Sequence, residues 1–326
     1  MTDVSIIIVN YNTIGLLRDC LNSLMQTEGR ACHIIVVDNA SADGSADMVE
    51  HEFPEVLLVR NSQNVGFAKA NNQGIGLAKA KYILLLNSDT IVRPGAIRIM
   101  SGYLDSESGA GATACKLLNG DGTIQASVGN RPGPMLLLFR LLGVSRIISN
   151  DRTRRWLAHT FGILLGGTVR SYLTPYKADR SPVEVQSISA ACLMLRREAV
   201  EQIGGLDEHF FMYLEDMDYC IRLRQAGWKL YYLPEGEIVH LGGASSGGRM
   251  RNYSVHSYRA LFYFYGKHFS YPVAVAARAM VISALAPRWL WNWAAYRFSG
   301  KTLYRQNERD LKQVIRGCFG LESPCS

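Results

Sequence analysis

The sequence predicts an α/β protein built on a mostly parallel sheet flanked by helices. Three features carry this reading: continuous apolar, β-branched runs, segments of helical period between them, and polar clusters directly after the runs. The strand candidates are residues 4–9 (VSIIIV), 33–37 (HIIVV), 56–59 and 82–86 (YILLL). Their lack of polar alternation marks strands buried on both faces, as in a parallel sheet. Between the first two runs, Leu16, Leu17, Cys20, Leu21 and Leu24 recur at helical spacing. Residues 45–52 suit a short helix, with Asp43 and Ser45 as capping candidates. Residues 65–80 suit a longer helix, and Pro94 suits the opening turn of another.

Ligands of such sheets bind beyond the carboxyl ends of the strands. Those ends are polar here: Asn10-Tyr11-Asn12, then Asp38-Asn39, then Asn87-Ser88-Asp89. All three clusters are expected to face one crevice. Two common phosphate-binding devices are missing. Asn-Tyr-Asn-Thr follows strand 1 where a dinucleotide fold has G-x-G-x-x-G, and Gly74-x-Gly76 falls inside a helical stretch. No G-x-x-x-x-G-K-[ST] occurs, and Gly242-Gly243 and Gly247-Gly248 lack the lysine and the preceding strand. A metal is left as the device that would hold a diphosphate. Asp89, just past a fully apolar strand, is either that metal's ligand or a cap for the helix near Pro94.

Further carboxylates stand in the second half. Gly204-Gly205-Leu206-Asp207 reads as a turn, 210–214 as an aromatic run, and 219–226 as a helix ended by Gly227. Glu215 and Asp216 fall at the start of that helix. There they are either helix caps favoured by the macrodipole or a general base in an apolar surround. His240 ends a strand-like segment and is either structural or, beside a metal, a ligand.

The ordered set VSIIIVNYN, VVDNASADGS, NVGFAKANNQG, YILLLNSDT, GGLDEHFFMYLEDMDYCIRLRQAGW and VHLGGAS resembles glycosyltransferase family 2, whose fold is GT-A, Rossmann-like. It runs from residue 4 to about 246 and is most similar to the bacterial rhamnosyltransferase-like members. The resemblance implies a GT-A domain over 1–246, with an insert at about 126–180, and a tail over 247–326. It also implies roles. Val9, Tyr11 and Asn12 would pack on the nucleotide, and Asp38 would accept from a pyrimidine N–H. Gly66, Lys69 and Asn72 would flank nucleotide and sugar. Asn87-Ser88-Asp89 stands where the family has D-x-D; with Asn at its first position, Asp89 would carry most of the binding of a divalent metal, Mg²⁺ or Mn²⁺. His240 would join it. Asp216 would be the catalytic base, with Glu215 as the fallback. The implied reaction is one in-line displacement that inverts the anomeric carbon of a nucleotide-diphosphate sugar donor. A hydroxyl of a glycan or polyprenyl-diphosphate-linked acceptor would attack it, in cell-surface polysaccharide synthesis.

The 326 residues are 48% hydrophobic, enough for a large core, and 19% charged, so disorder is not expected. Seven cysteines without a C-x-x-C pair favour a reducing compartment over a disulfide framework, and no signal peptide is seen, so a cytoplasmic location is expected. The formal net charge of +7 sits mainly in residues 126–180 and 247–326. In the first, residues 135–142 are apolar around Arg140, and Arg152, Arg154 and Arg155 precede Trp156; in the second, residues 261–265 and Trp289, Trp291 and Trp293 lie among arginines. These segments are either amphipathic helices packed on the core or an element docked on the inner face of the plasma membrane. No nucleic-acid motif accompanies them, so no nucleic-acid partner is expected. No run of roughly 20 uninterrupted apolar residues appears, since Arg278, Pro287 and Arg288 interrupt 273–293. Two other readings compete: a sugar-1-phosphate nucleotidyltransferase, which would need a glycine-rich basic loop after strand 1, and a non-catalytic nucleotide- or glycan-binding module.

Overall fold

A computed structural model describes residues 3–27, 32–129, 133, 137, 181–242 and 255–318. Residues 135–136, 138–142, 152–156, 243 and 247–248, on which several sequence expectations fall, lie outside that set. Two compact units are present, one drawing on residues 1–131, 176–211 and 215–250, the other on 132–175, 212–214 and 251–326.

In the first unit the apolar runs form β1 (Val4–Asn10), β2 (His33–Asp38), β3 (Leu57–Arg60) and β4 (Tyr82–Asn87). Helices α1 (Ile14–Thr27), α2 (Ser45–Glu52) and α3 (Phe67–Leu77) connect them. β5 (Thr90–Val92), α4 (Ala96–Ser106), β6 (Ala110–Leu118), β7 (Ile124–Gln125) and β8 (Val128–Gly129) follow. After the undescribed insert come β9 (Val183–Val185), β10 (Ser187–Ile188), β11 (Cys192–Arg196), α5 (Arg197–Ile203), α6 (Glu215–Gln225) and β12 (Lys229–His240). The main sheet has the order β3-β2-β1-β4-β11-β6-β12-β5, with β7 beside β6 and β9 beside β12. The pairs β1–β2, β2–β3, β1–β4 and β6–β12 are parallel; β11 runs antiparallel to both β4 and β6.

Alternate residues of the strands feed different cores, which is why these strands are apolar throughout. Ile6, Ile8, Ile34, Val36, Leu84 and Leu86 pack with Leu17, Leu21 and Leu24 of α1, Val49 of α2 and Ile97, Met100 and Leu104 of α4. Ile7, Ile35, Val37, Ile83 and Leu85 pack with Ala68 and Ala70 of α3, Val200 of α5 and Tyr219 and Leu223 of α6. The sheet is thus covered on both faces.

Several local expectations are corrected. Pro94 precedes its helix: the cap of α4 is Gly95 in the left-handed region (φ 82), without a side-chain cap bond. The cap of α2 is Gly44, also left-handed, rather than Asp43 or Ser45. Asp43 still works locally, accepting from Ser45 N and, through its other oxygen, from Ile14 N at the start of α1. α3 covers only Phe67–Leu77, bounded by Gly66 and by extended Ala78. α6 begins at Glu215, four residues earlier than its apolar pattern suggests.

β12 is the longest strand and it bends. Its register with β6 shifts between Leu233 and Glu237, at Pro234-Glu235-Gly236. Pro234 has no N–H for a ladder bond. Gly236 lies so close to Cys115 Sγ that a Cβ has no room. Beyond the bend Ile238, Val239 and His240 pair antiparallel with β5.

The second unit holds α7 (Val255–His268), α8 (Tyr271–Ser299) and α9 (Thr302–Cys318). Arg278, Pro287 and Arg288 interrupt the apolar run but not the helix: the 29 residues of α8 are continuous, and long and apolar enough to cross a membrane by length and composition. Charged side chains do not break helical hydrogen bonding, and Pro287 removes only one donor. Ala274, Ala277, Val281 and Leu285 form its buried stripe. Phe262, Phe264 and Tyr265 of α7 are buried as well, so residues 261–265 serve the core. Tyr271, Trp291, Trp293 and Phe298, all on α8, are exposed aromatics. The five described cysteines whose side chains are placed (Cys20, Cys32, Cys115, Cys192 and Cys220) are free thiols.

One buried cation ties α4 to the sheet. Arg196, 7% exposed, donates from Nε to Ala110 O at 2.8 Å and from Nη2 to Glu107 O at 3.1 Å and to Leu104 O. A cation here also complements the C-terminal end of the α4 dipole. Arg196→Met strands these carbonyls and is expected to lower unfolding free energy by about 3 kcal/mol, read as a drop in urea midpoint.

Candidate active site at the carboxyl ends of the strands

The parallel register lines up the polar strand ends. Asn10 pairs with Asp38, and Val9 pairs with Asn87. Buried hydrogen bonds then knit the row together. Asn10 Nδ2 donates to Asp38 Oδ2 and to Ser41 Oγ, each at 3.1 Å. Thr13 Oγ1 donates to Asn10 Oδ1 at 2.6 Å and lies 3.0 Å from Ser88 Oγ. Asp38 Oδ1 also accepts from Ser41 N. Such a network is stable in a low-dielectric interior because every member finds a partner. It fixes Asp38, 3% exposed, and Ser88, also 3% exposed, at neighbouring strand ends.

Tyr11 and Asn12 are exposed, and Asn12 N donates to Ser41 Oγ at 2.9 Å, the hydroxyl that also accepts from Asn10. Asn12 is left-handed (φ 54), a conformation asparagine tolerates, and its side-chain oxygen accepts from Ala42 N. Val9 is half-buried and Lys69, on α3, is exposed. Gly66 has a structural demand of its own. Its backbone (φ 89, ψ 168) is open to glycine alone, and a Cβ there would lie 2.6 Å from Phe211 O. Phe67 N donates to that same carbonyl, so the residues before α6 dock on the start of α3. Asn72 acts on the same segment. Its Nδ2 donates to Leu206 O and Glu208 Oε1, and its Oδ1 accepts from Leu206 N. All of its amide's contacts lie with residues 206–208, so it supports the segment ahead of α6 rather than facing outward.

Asp89 is 4% exposed and lies between β4 and β5, away from the start of α4, which rules out the capping role. The β12–β5 pairing sets His240 opposite Thr90. His240 Nε2 consequently lies 3.2 Å from Asp89 Oδ1 and 3.2 Å from Asn87 Nδ2. On its other side His240 Nδ1 is 2.5 Å from Gln125 Oε1. Among the described residues no third His, Cys, Asp or Glu joins this pair.

Glu215, Asp216 and Asp218 open α6, where the helix dipole favours anions. Their environments differ. Asp218 is fully buried and accepts from Arg222 Nε at 2.8 Å, while Arg222 also donates to Ile203 O and Gly205 O. That pair closes the turn ahead of the helix. Asp216 is half-buried, and its oxygens accept from Met217 N at 2.7 Å and Ala190 N at 3.2 Å. Glu215 is 5% exposed, and its Oε2 is buried without a hydrogen-bond partner. Burial raises both acidic pKa values; for Glu215 the neighbouring Asp216 charge raises it further.

The loop before β11 joins the two halves of the site. Ala190 N reaches Asp216, while Asn87 N donates to Ala191 O at 3.1 Å. Asp216 and the Asn87–Asp89 segment therefore hang on adjacent residues of one loop. Sequence reasoning placed Asn10 at the crevice but missed Thr13 and Ser41, which hold the row with it, and Gln125, which lies at the edge of the basic insert. The polarity of the strand ends could have pointed to Thr13 and Ser41; nothing in the sequence pointed to Gln125.

Comparison with known proteins places the chain in a family. The family model described as Glycosyl transferase family 2 matches residues 5–204. An N-acetylglucosaminyl-diphospho-decaprenol L-rhamnosyltransferase of Mycobacterium tuberculosis is 28% identical over 262 residues, covering 76% of this chain and 79% of its own. The dTDP-rhamnosyl transferase RfbF of Shigella flexneri is 24% identical over 253 residues, covering 75% and 71%. Among solved structures, the mannosyltransferase PcManGT of Pyrobaculum calidifontis, solved with GDP-Man and Mn²⁺, superposes with a TM-score of 0.52. It has 15% identity and covers 98% of this chain and 86% of its own. The shared fold is GT-A.

Two outcomes are expected from this geometry. Gly66→Ala should cost about 2–3 kcal/mol in a denaturant titration, because both the backbone conformation and the Phe211 approach forbid a side chain. The buried Glu215 carboxyl gives a pH signature. From the unfolded glutamate value of ~4.3 up to the raised native value, only the unfolded chain gives up this proton, so stability falls as pH rises through that window. Glu215→Gln removes the effect, and its melting temperature should gain on that of the unaltered protein as pH goes from 5 to 8 (calorimetry at each pH).

Proposed function

Because the chain belongs to glycosyl transferase family 2, we propose that it is an inverting transferase that moves one deoxyhexose, rhamnose, from a thymidine-diphosphate donor to a lipid-linked glycan hydroxyl. Glycosyl transfer itself follows from the family. The finer reading draws on relatives that bear rhamnosyltransferase names, one of them naming a decaprenol diphosphate acceptor and one a dTDP donor. Cell-surface polysaccharide synthesis is the setting such acceptors imply.

The observation that carries the mechanism is the loop of Ala190 and Ala191, which holds Asp216 beside the Asn87–Asp89 segment. Asp216 is the base. Two backbone N–H groups stabilise its anion, while burial lifts its affinity for a proton toward working pH. It takes the proton of the acceptor hydroxyl as that oxygen forms its bond to the anomeric carbon. The carbon–oxygen bond to the diphosphate breaks on the opposite face, its electron pair leaves with the diphosphate, and configuration inverts. Glu215, deeply buried and facing the Asp216 charge, is raised to about 8, stays protonated and keeps a second negative charge away from the base. Tyr11, Asn12, Val9, Asp38, Gly66, Lys69, Asn87 and Ser88 form the nucleotide-sugar surface, with Asp38 offering its free lone pairs to the base.

A divalent cation, Mg²⁺ or Mn²⁺, fits the remaining pair. Asp89 and His240 present one carboxylate oxygen and one ring nitrogen to each other at 3.2 Å, and such a hard cation completes its shell with phosphate oxygens and water. When bound, it neutralises charge on the departing diphosphate. The missing glycine-rich basic loop after β1 argues against a nucleotidyltransferase.

We place the acceptor at a membrane surface. Trp291 is 70% exposed and Phe298 92% exposed on α8, beside Arg288 and Arg297, a mix suited to an anionic interface. On this reading residues 1–246 are the transferase domain and 247–326 the docking tail, and the protein is cytoplasmic and peripheral. Flotation with anionic liposomes at low salt should carry the protein up; failure to float removes the docking role, and resistance to high salt and alkali would mean α8 spans.

Asp216→Asn should lower kcat by about 10²–10⁴-fold and leave donor binding, measured by calorimetry, within a few-fold. Equal loss of both would make Asp216 a structural residue, and unchanged turnover would end its role as base.

A further inference from the structure

Five side chains link the β6–β7 turn to the strand-end row, and their hydrogen bonds can run in only one direction. At the outer end Asp121 is an ionised carboxylate, held below the ordinary range by bonds from the Thr123 hydroxyl and then the Thr123 N–H. A carboxylate only accepts. The Thr123 hydroxyl therefore donates to Asp121 Oδ1 at 2.6 Å, which turns its lone pair to Asn119 Nδ2 at 2.9 Å. That orients the Asn119 amide, whose Oδ1 accepts from Gln125 Nε2 at 2.9 Å. Gln125 Nε2 donates a second time, to His240 O at 3.3 Å. With the amide nitrogen so placed, the atom 2.5 Å from His240 Nδ1 is Gln125 Oε1. An amide oxygen has no proton to give, so Nδ1 carries one, and Asn87 Nδ2, which can only donate, meets the lone pair of Nε2 at 3.2 Å.

We infer that Gln125 is a positioning residue which, backed by Asn119, Thr123 and Asp121, holds His240 as its Nδ1–H tautomer and presents the Nε2 lone pair to a divalent cation shared with Asp89. The metal part rests on the reading proposed above. The chemistry is general: which imidazole nitrogen carries the proton is set by the hydrogen bond on the other side of the ring, and that outer bond also sets ring orientation and ligand strength. A merely structural Gln125 would close the β6–β7 hairpin, where it pairs with Leu117, and would leave the tautomer alone.

The test uses the full chain labelled with ¹⁵N-histidine. Long-range ¹H–¹⁵N spectra report the tautomer, with the His240 signals assigned by their loss in His240→Gln. Mn²⁺ binding is titrated separately by electron paramagnetic resonance, with and without thymidine diphosphate. The expected result is an Nδ1–H signal in the unaltered chain. In Gln125→Leu it should become a mixture, with Mn²⁺ affinity reduced about 10–100-fold. Gln125→Glu, which still accepts from Nδ1–H, should retain both properties and shows that the fold survives substitution here. Asp121→Asn, at an exposed turn, should raise the Nε2–H fraction by freeing the chain's outer end. An Nε2–H tautomer in the unaltered chain, or a Gln125→Leu protein with unchanged tautomer and Mn²⁺ affinity, overturns the inference. An Nδ1–H tautomer in a chain that binds no Mn²⁺ supports the relay and overturns the metal reading instead.

Discussion

The short antiparallel pairing of β12 with β5 is the contact on which the site depends. β4 and β12 are not neighbours in the sheet; β11 and β6 lie between them. The chain nevertheless leaves β4 at Asn87 and enters β5 at Thr90, on the far side of β12. This is possible because β12 bends at Pro234-Glu235-Gly236 and its last residues turn to meet β5. His240 thus ends a strand three places from β4, yet faces the carboxylate that follows β4. The glycine at the bend is required by space, since Cys115 fills the position of a side chain.

Around this pairing the molecule separates rigid support from reactive groups. Asn10, Thr13, Asp38, Ser41 and Ser88 satisfy one another in the buried row, so the strand ends hold their positions without a ligand. Arg222 and Asp218 do the same ahead of α6, and Asn72 ties down residues 206–208. At the strand ends and the start of α6 some polar demands stay unmet. Glu215 keeps a buried oxygen without a partner, and Asp89 and His240 face each other with no third protein ligand among the described residues. Burying a polar group without a partner costs free energy, which a substrate or ion bound here would offset.

Charge is handled by burial as much as by pairing. Three carboxylates within four residues at one helix start would repel strongly if all were ionised. Asp218 is neutralised by Arg222, Asp216 is held by two N–H groups, and Glu215 is left in an apolar place that favours its proton. The neighbours thereby acquire different acidities at the same helix terminus.

Much of this was legible in the chain itself. The four apolar runs, free of alternation, imply strands covered on both faces, and the polar residues after them identify the ligand-binding edge; both follow from local chemistry. Asp89 and Asp216 stand out for the same reason, as carboxylates placed at the ends of apolar segments. Register, crossings and water exclusion belong to the tertiary structure. It alone put β11 antiparallel inside the sheet, joined Asp216 to Asn87 through Ala190 and Ala191, and carried α8 unbroken through Pro287. It also separated Asp218 from Asp216, two residues of one type in one helical turn, because one meets an arginine and the other a loop. Hydrophobic period is a property of neighbours in sequence, and the chain displays it openly. Which polar atom meets which depends on residues up to 153 positions apart, as with Asn87 and His240, and only the packed fold decides that.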